Sequence, residues 1–134
     1  MILVDTSVVI DIVGGDPTWS NWSTTAFTIA SAGNEVAVND IVYAELAAGF
    51  EDAQKLAAAL DNLRLSLVRI PVEALFLAGH AFRRYRRSGG AKSNVLSDFF
   101  IGAHAAVMGA TLLTRDTARV RAYFPTVALI APTA

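Results

Sequence analysis

The chain has 134 residues, of which 54% are hydrophobic, with 11 Lys and Arg against 12 Asp and Glu for a net charge of -1. That length predicts one domain spanning residues 1–134, the apolar content excludes a disordered tail, and the balanced charge excludes a domain that grips nucleic acid by bulk positive charge. Cysteine is absent, which removes disulfides, zinc–thiolate sites and thiol nucleophiles together and fits a reducing compartment.

Ile2-Leu3-Val4 is a short apolar run of the kind that suits a strand buried on both faces. Thr6 and Ser7 are good helix caps, so a helix is expected from there until Gly14-Gly15-Asp16-Pro17. A second helix is predicted over Trp19–Ala32, and a second strand over Glu35–Val38. Asn39-Asp40 caps a helix over Ile41–Ala48, closed by Gly49, and an amphipathic helix follows over residues 51–62. Leu65–Ile70 alternates apolar and polar residues, with Leu65 and Leu67 inward, as an edge strand or extended linker does. Pro71 opens a helix to Arg87, and the turn over residues 88–94 is the expected flexible spot. Ser97-Asp98 caps a helix to Met108, broken by Gly109. A strand over Thr111–Thr114, a short helix over Asp116–Arg121 and a last strand over Val127–Ile130 complete the pattern. Alternating strands and helices predict an α/β fold with a central, mainly parallel, four- to five-stranded sheet flanked by helices.

No Lys or Arg precedes Lys55, so the basic start of a secretory signal is not there. The longest run free of Asp, Glu, Lys and Arg after Ala53, Phe99–Thr114, is shorter than the roughly 20 residues of a spanning helix. A cytoplasmic protein with no membrane segment is expected. Its mean hydropathy of +0.45 implies an apolar surface covered by a second copy or a partner chain.

With so few charges, acids in apolar surroundings are informative. Asp5 directly follows the first strand and Asp116 closely follows the strand over Thr111–Thr114. In open parallel sheets, sites lie beyond the carboxyl ends of strands. Glu45 is the only charge from Ile41 to Phe50, and Asp98 opens the long apolar helix. Singly, each has a structural reading: Asp5 or Asp98 as a cap, Asp116 closing a turn, Glu45 on a half-exposed helix. Together, four neighbouring carboxylates repel and raise one another's pKa values. A hard divalent cation such as Mg²⁺ or Mn²⁺ relieves that repulsion, and such a cation assists hydrolysis.

These segments resemble the PIN-domain ribonucleases, specifically the toxins of VapB–VapC toxin–antitoxin systems. The resemblance is carried by Leu3-Val4-Asp5-Thr6-Ser7-Val8, Tyr43-Ala44-Glu45-Leu46, Ser97-Asp98-Phe99-Phe100-Ile101-Gly102-Ala103-His104-Ala105 and Leu112-Leu113-Thr114-Arg115-Asp116. It extends into the tail through Tyr123-Phe124-Pro125 and Leu129-Ile130-Ala131-Pro132. It implies a PIN-like fold and a Mg²⁺- or Mn²⁺-dependent endoribonuclease whose catalytic acids are Asp5, Glu45, Asp98 and Asp116. Asp5, Asp98 and Asp116 would ligate metal, Glu45 would act directly or through water, and Thr6 and Thr114 would support the pocket. It further implies a homodimer and a VapB-like antitoxin whose tail occupies the active-site groove. Ser97 stands where many relatives carry Pro, and Ser is a good cap. Thr117-Ala118-Arg119 follows Asp116 where some PIN nucleases carry a further acid, so a complete second metal site is not implied.

Arg83, Arg84, Arg86, Arg87 and Lys92 bring five of the 11 basic residues close before Asp98. They form either a solvated helix end favoured by the macrodipole or a rim that grips RNA phosphates. Arg84, Arg87, Lys92 and Arg115 are the candidate RNA contacts, Arg115 having the alternative of pairing with a carboxylate. Tyr85 is a candidate for stacking on a base. His104 lies about 240° round an ideal helix from Asp98 and reads as a buried, satisfied histidine. His80 reads as surface or interface, and Trp19, Trp22 and Phe27 as core or partner surface. A haloacid-dehalogenase-like phosphatase would need an acid where Ser7 stands. The alternative function is a catalytically silent PIN-like module that binds RNA or acts as a co-repressor. The four intact acids favour the nuclease.

Overall fold

The computed structural model describes residues 1–92 and 95–133. The first half of the chain folds as β1 (Ile2–Val4), α1 (Thr6–Gly14), α2 (Ser20–Ser31), β2 (Val36–Asn39), α3 (Asp40–Ala47) and α4 (Ala53–Asn62). The second half adds β3 (Leu65–Val68), α5 (Val72–Arg87), α6 (Leu96–Met108), β4 (Thr111–Leu113), α7 (Ala118–Tyr123) and β5 (Leu129–Ile130). The strands form one five-stranded sheet in the order β3-β2-β1-β4-β5. Every pairing is parallel, so the sheet is wholly parallel.

The apolar runs decide which strands lie at the centre. All residues of β1 and β2 are buried, and Leu112 and Leu113 of β4 are buried with them. Residues Ile2, Leu3 and Val4 pair with Thr111, Leu112 and Leu113. Burying each such Leu or Val fully stabilises the fold by about 1.5–3 kcal/mol. The predicted alternation of β3 fails at Leu67, which is 48% exposed; only Leu65 of this edge strand is buried.

Several boundaries differ from the sequence expectation, and three of them bear on the placement of the acids. Helix α1 starts at Thr6 because Asp5 is its cap, accepting the Thr6 N–H at 2.8 Å. Helix α6 starts at Leu96, with Val95 at its cap position and no side-chain cap. Ser97 therefore does not cap it, and Asp98 lies within its first turn. Helix α7 starts at Ala118, because Asp116 Oδ1 accepts the Ala118 N–H at 3.3 Å and holds residues 116–118 in a turn. The expected flexible turn at 88–94 reaches Ser93 and Asn94, which lie outside the described residues. Among the described residues, no helix is long and apolar enough to cross a membrane.

Candidate active site

Strand order turns at β1: the chain first builds outward through β2 to β3, then returns to place β4 on the other side of β1. The carboxyl ends of β1 and β4 therefore flank the crevice where ligands bind in doubly wound sheets. Asp5 is the first residue after β1, and its N–H donates to Leu113 O at 2.9 Å. Its carboxylate caps α1 through Oδ1, while Oδ2 accepts from Thr114 Oγ1 at 2.7 Å and Ser7 Oγ at 3.3 Å. The buried Thr114 hydroxyl also accepts the Asp116 N–H at 3.0 Å. One hydroxyl thus sets both acids that leave the central strands.

Asn39 closes β2 and caps α3, its Oδ1 accepting from the N–H groups of Ile41 and Val42 at 3.1 and 3.0 Å. That helix presents Glu45, whose Oε1 accepts from Thr6 Oγ1 at 2.7 Å. Thr6 and Thr114 accordingly hydrogen-bond the acids they were expected to support.

Asp98 completes the cluster from the first turn of α6. Its pKa is pushed up to about 7 by burial first, then by Asp116 and Asp5, with a smaller push from Glu45 against the pull of Arg119. Burial also raises Asp5 above its ordinary value, with Glu45 adding to the rise and the Thr114, Thr6 and Ser7 hydrogen bonds opposing it. The four predicted acids therefore occupy one electrostatic neighbourhood. Among the described residues, no three acidic or imidazole side chains are drawn closely enough together to form a ready-made ligand set. Like charges relax apart, and Asp5 and Glu45 are each steadied by hydroxyl donors instead. The donor chemistry of hard oxygens, held where protonation is favoured, fits a divalent cation.

Arg115 takes the carboxylate-pairing alternative. Its Nε and Nη2 donate to the two Asp11 oxygens at 2.7 and 3.0 Å, and its guanidinium lies 4.9 Å from the Trp19 ring centre. Asp11, 1% exposed, also accepts from Ser23 Oγ at 2.6 Å. Sequence reasoning missed Asp11; its signal was a lone acid in the apolar run of α1, the same signal that singled out Glu45.

His104 is fully buried, as expected, but only half satisfied. Its Nδ1 lies 3.2 Å from Asn39 Nδ2, and its Nε2 has no partner. Because Asn39 Oδ1 is committed to capping, the amide must donate to Nδ1, which leaves the proton on Nε2. Tyr85 is not free to stack on a base. Its ring packs 5.4 Å from that of Phe99, and its hydroxyl accepts the Lys92 N–H at 3.2 Å. Arg84, Arg87 and Lys92 are exposed.

Two of the surface cavities among the described residues bear on the site's position. One of about 640 Å³, lined in part by Asn34, Glu35 and Arg64, opens at the amino ends of β2 and β3, away from the acids. Another of about 240 Å³ runs beside Glu45, between Ile10 and Val13 of α1 and Leu46 and Phe50.

The PIN domain family matches residues 2–125 of the chain. No protein of curated function matches it. Among solved structures, VapBC2 from Rickettsia felis bound to a promoter DNA fragment is similar, with 22% identity over 98% of both chains and a TM-score of 0.73. FitAcB from Neisseria gonorrhoeae shares 24% identity over 97% of this chain and 96% of that one, with a TM-score of 0.68. DNA-bound VapBC from Salmonella typhimurium shares 18% over 97% and 96%, with a TM-score of 0.71. At these identities the likeness to the solved structures is one of fold.

Proposed function

The chain belongs to the PIN-domain family, and from that premise we propose that it is a Mg²⁺- or Mn²⁺-dependent endoribonuclease, the toxin of a toxin–antitoxin pair. The observation that carries this reading is the convergence of Asp116, Asp5 and Glu45 on the Asp98 carboxyl. Burial and neighbouring carboxylates that raise Asp98 and Asp5 above their ordinary values are costly to a fold unless a cation uses them. Asp5, Asp98 and Asp116 would hold the ion, and Glu45 would act directly or through water. When bound, the ion supplies a more acidic water and a polarised phosphoryl oxygen. Thr114 keeps Asp5 and the Asp116 backbone in place, and Thr6 does the same for Glu45. Arg84, Arg87 and Lys92 supply an exposed basic rim for the RNA backbone. Arg115, held by Asp11, fixes the chain beside Asp116.

The partner reading rests on surface chemistry. The groove beside Glu45 exposes Ile10 and Val13 by 50% and 45%. An antitoxin tail with apolar residues fits it, and a tail seated there reaches the catalytic acids. The similar chains come from VapBC and FitA–FitB complexes, several bound to DNA. By analogy, this chain and its antitoxin bind their own promoter in the cytoplasm. Val72 and Phe76, 76% and 69% exposed on α5, suit a homodimer contact. Residues 1–134 act as one catalytic domain.

The test is incubation of the purified protein with total cellular RNA in Mg²⁺, Mn²⁺ or EDTA. Discrete, metal-dependent cuts support the nuclease. RNA retained intact in every condition, by folded protein free of antitoxin, favours a silent binding module.

A further inference from the structure

The basic rim meets the acid cluster through a wall of aromatic rings. Tyr85 and Tyr123 pack edge to face at 6.2 Å, and both abut Phe99, at 5.4 and 5.2 Å. Phe99 is the residue after Asp98 in the first turn of α6, so the wall and Asp98 are carried by the same helix end. Each tyrosine carries one guanidinium. Arg84 lies 5.5 Å from the Tyr123 ring centre, and Arg119 lies 5.8 Å from that of Tyr85. The Tyr85 ring is fixed at its outer end, where a Cβ on Gly90 would come within 2.5 Å of it.

The two cations differ in their surroundings. Arg84 is exposed, whereas Arg119 is half-buried in the first turn of α7, three residues past Asp116. Its Nε is buried with no hydrogen-bond partner. Among the described residues, the ion pairs are Lys55–Glu51, Arg69–Asp40 and Arg115–Asp11, and Arg119 joins none. A guanidinium within electrostatic reach of Asp98, held over a ring and paired with no carboxylate among the described residues, is a prepared anion site. Buried donors are normally satisfied, and a planar fork matches phosphate oxygens.

We propose that Arg119 binds the scissile phosphate of the RNA, with Arg84 holding a neighbouring phosphate on the outer side of the same tyrosine pair. This rests on the nuclease reading and adds a contact to it. The fork opposes the charge that builds on the phosphoryl oxygens as hydrolysis proceeds.

Binding of a single-stranded RNA oligomer, measured in EDTA across a salt series, tests the contact without catalysis. Arg119→Gln keeps a polar stem against Tyr85 and removes the charge; Arg119→Lys keeps the charge. Loss of one phosphate contact flattens the slope of log K against log salt by about 0.7. The expected result is that flattening for Arg119→Gln, a wild-type slope for Arg119→Lys, and an about 100-fold loss of metal-dependent cleavage for Arg119→Gln. An unchanged slope with a lowered melting temperature would make Arg119 a packing residue and overturn the proposal. So would a flattened slope with full cleavage, because the contact would then lie on a flanking phosphate. Should Arg119→Gln not fold, Arg119→Met serves the same comparison. A flattened slope for Arg119→Gln beside a wild-type protein that never cuts would overturn the nuclease reading and the scissile assignment, while leaving the phosphate contact measured.

Discussion

The Thr114 hydroxyl donates to Asp5 Oδ2 at 2.7 Å across a sequence separation of 109 residues. This bond ties the ends of the two central strands together at the level of the acids. The same hydroxyl accepts the Asp116 N–H. Thr114→Val keeps the shape and removes both bonds, leaving a buried carboxylate oxygen and a backbone N–H without that partner. The expected cost is about 1–3 kcal/mol in denaturant unfolding, together with weaker metal binding. Unaltered stability and metal affinity would show that Asp5 is positioned by other means.

Asp98 makes the metal-free protein sensitive to pH. Its carboxyl titrates near 7 in the native state, against an ordinary value of 3.8. Between those values the native state holds more protons than the unfolded chain, so stability falls as pH rises through the window. In EDTA, the melting temperature of the wild type is expected to drop from about pH 5 to about pH 8, and that of Asp98→Asn to drop less. Equal drops would place the titration elsewhere.

A cation reverses that trend by competing with the proton. Mg²⁺ or Mn²⁺ at about 100 times its Kd is expected to add about 2.7 kcal/mol to stability. The gain should be larger at pH 8 than at pH 6, and absent in Asp5→Asn. A thermal scan with no shift at millimolar metal would contradict a cation site at these residues.

Asp11 holds Arg115, the residue before Asp116, from behind. Asp11→Ala strands Arg115 beside Trp19 and frees Ser23 Oγ. Breaking a buried pair costs about 3–5 kcal/mol. The expected loss is at the lower end, since the Arg115 side chain keeps 28% of its exposure. Equilibrium unfolding reads this, and a loss below that of an ordinary surface substitution would make the pair dispensable.

The acids were legible in the sequence because Asp5, Asp98 and Asp116 interrupt apolar segments near strand ends or a helix start, and Glu45 is the only charge from Ile41 to Phe50. The parallel sheet was legible for the same reason: β1, β2 and β4 are short runs without the alternation of a half-exposed strand. What stayed hidden depends on contacts between elements. Tyr85 looks like a free ring within a basic run until α5, α6 and α7 bring it against Phe99 and Tyr123. Arg119 carries no signal in the sequence beyond its place in Thr117-Ala118-Arg119 until α7 puts it over Tyr85. Ser97 has the residue type of a cap, but α6 starts before it, so capping preference alone misplaced the helix start. His104 was read correctly as buried, yet its unsatisfied Nε2 follows from the commitment of Asn39 to α3, which spacing does not reveal.

The most direct test of the account compares the wild type and Asp98→Asn on total cellular RNA in Mg²⁺, with RNA ends mapped and both proteins shown to be folded. The account predicts discrete cuts by the wild type, abolished by EDTA and by the single substitution. Cuts that persist in Asp98→Asn would contradict it, because the acid on which the other three converge would then have no part in the reaction.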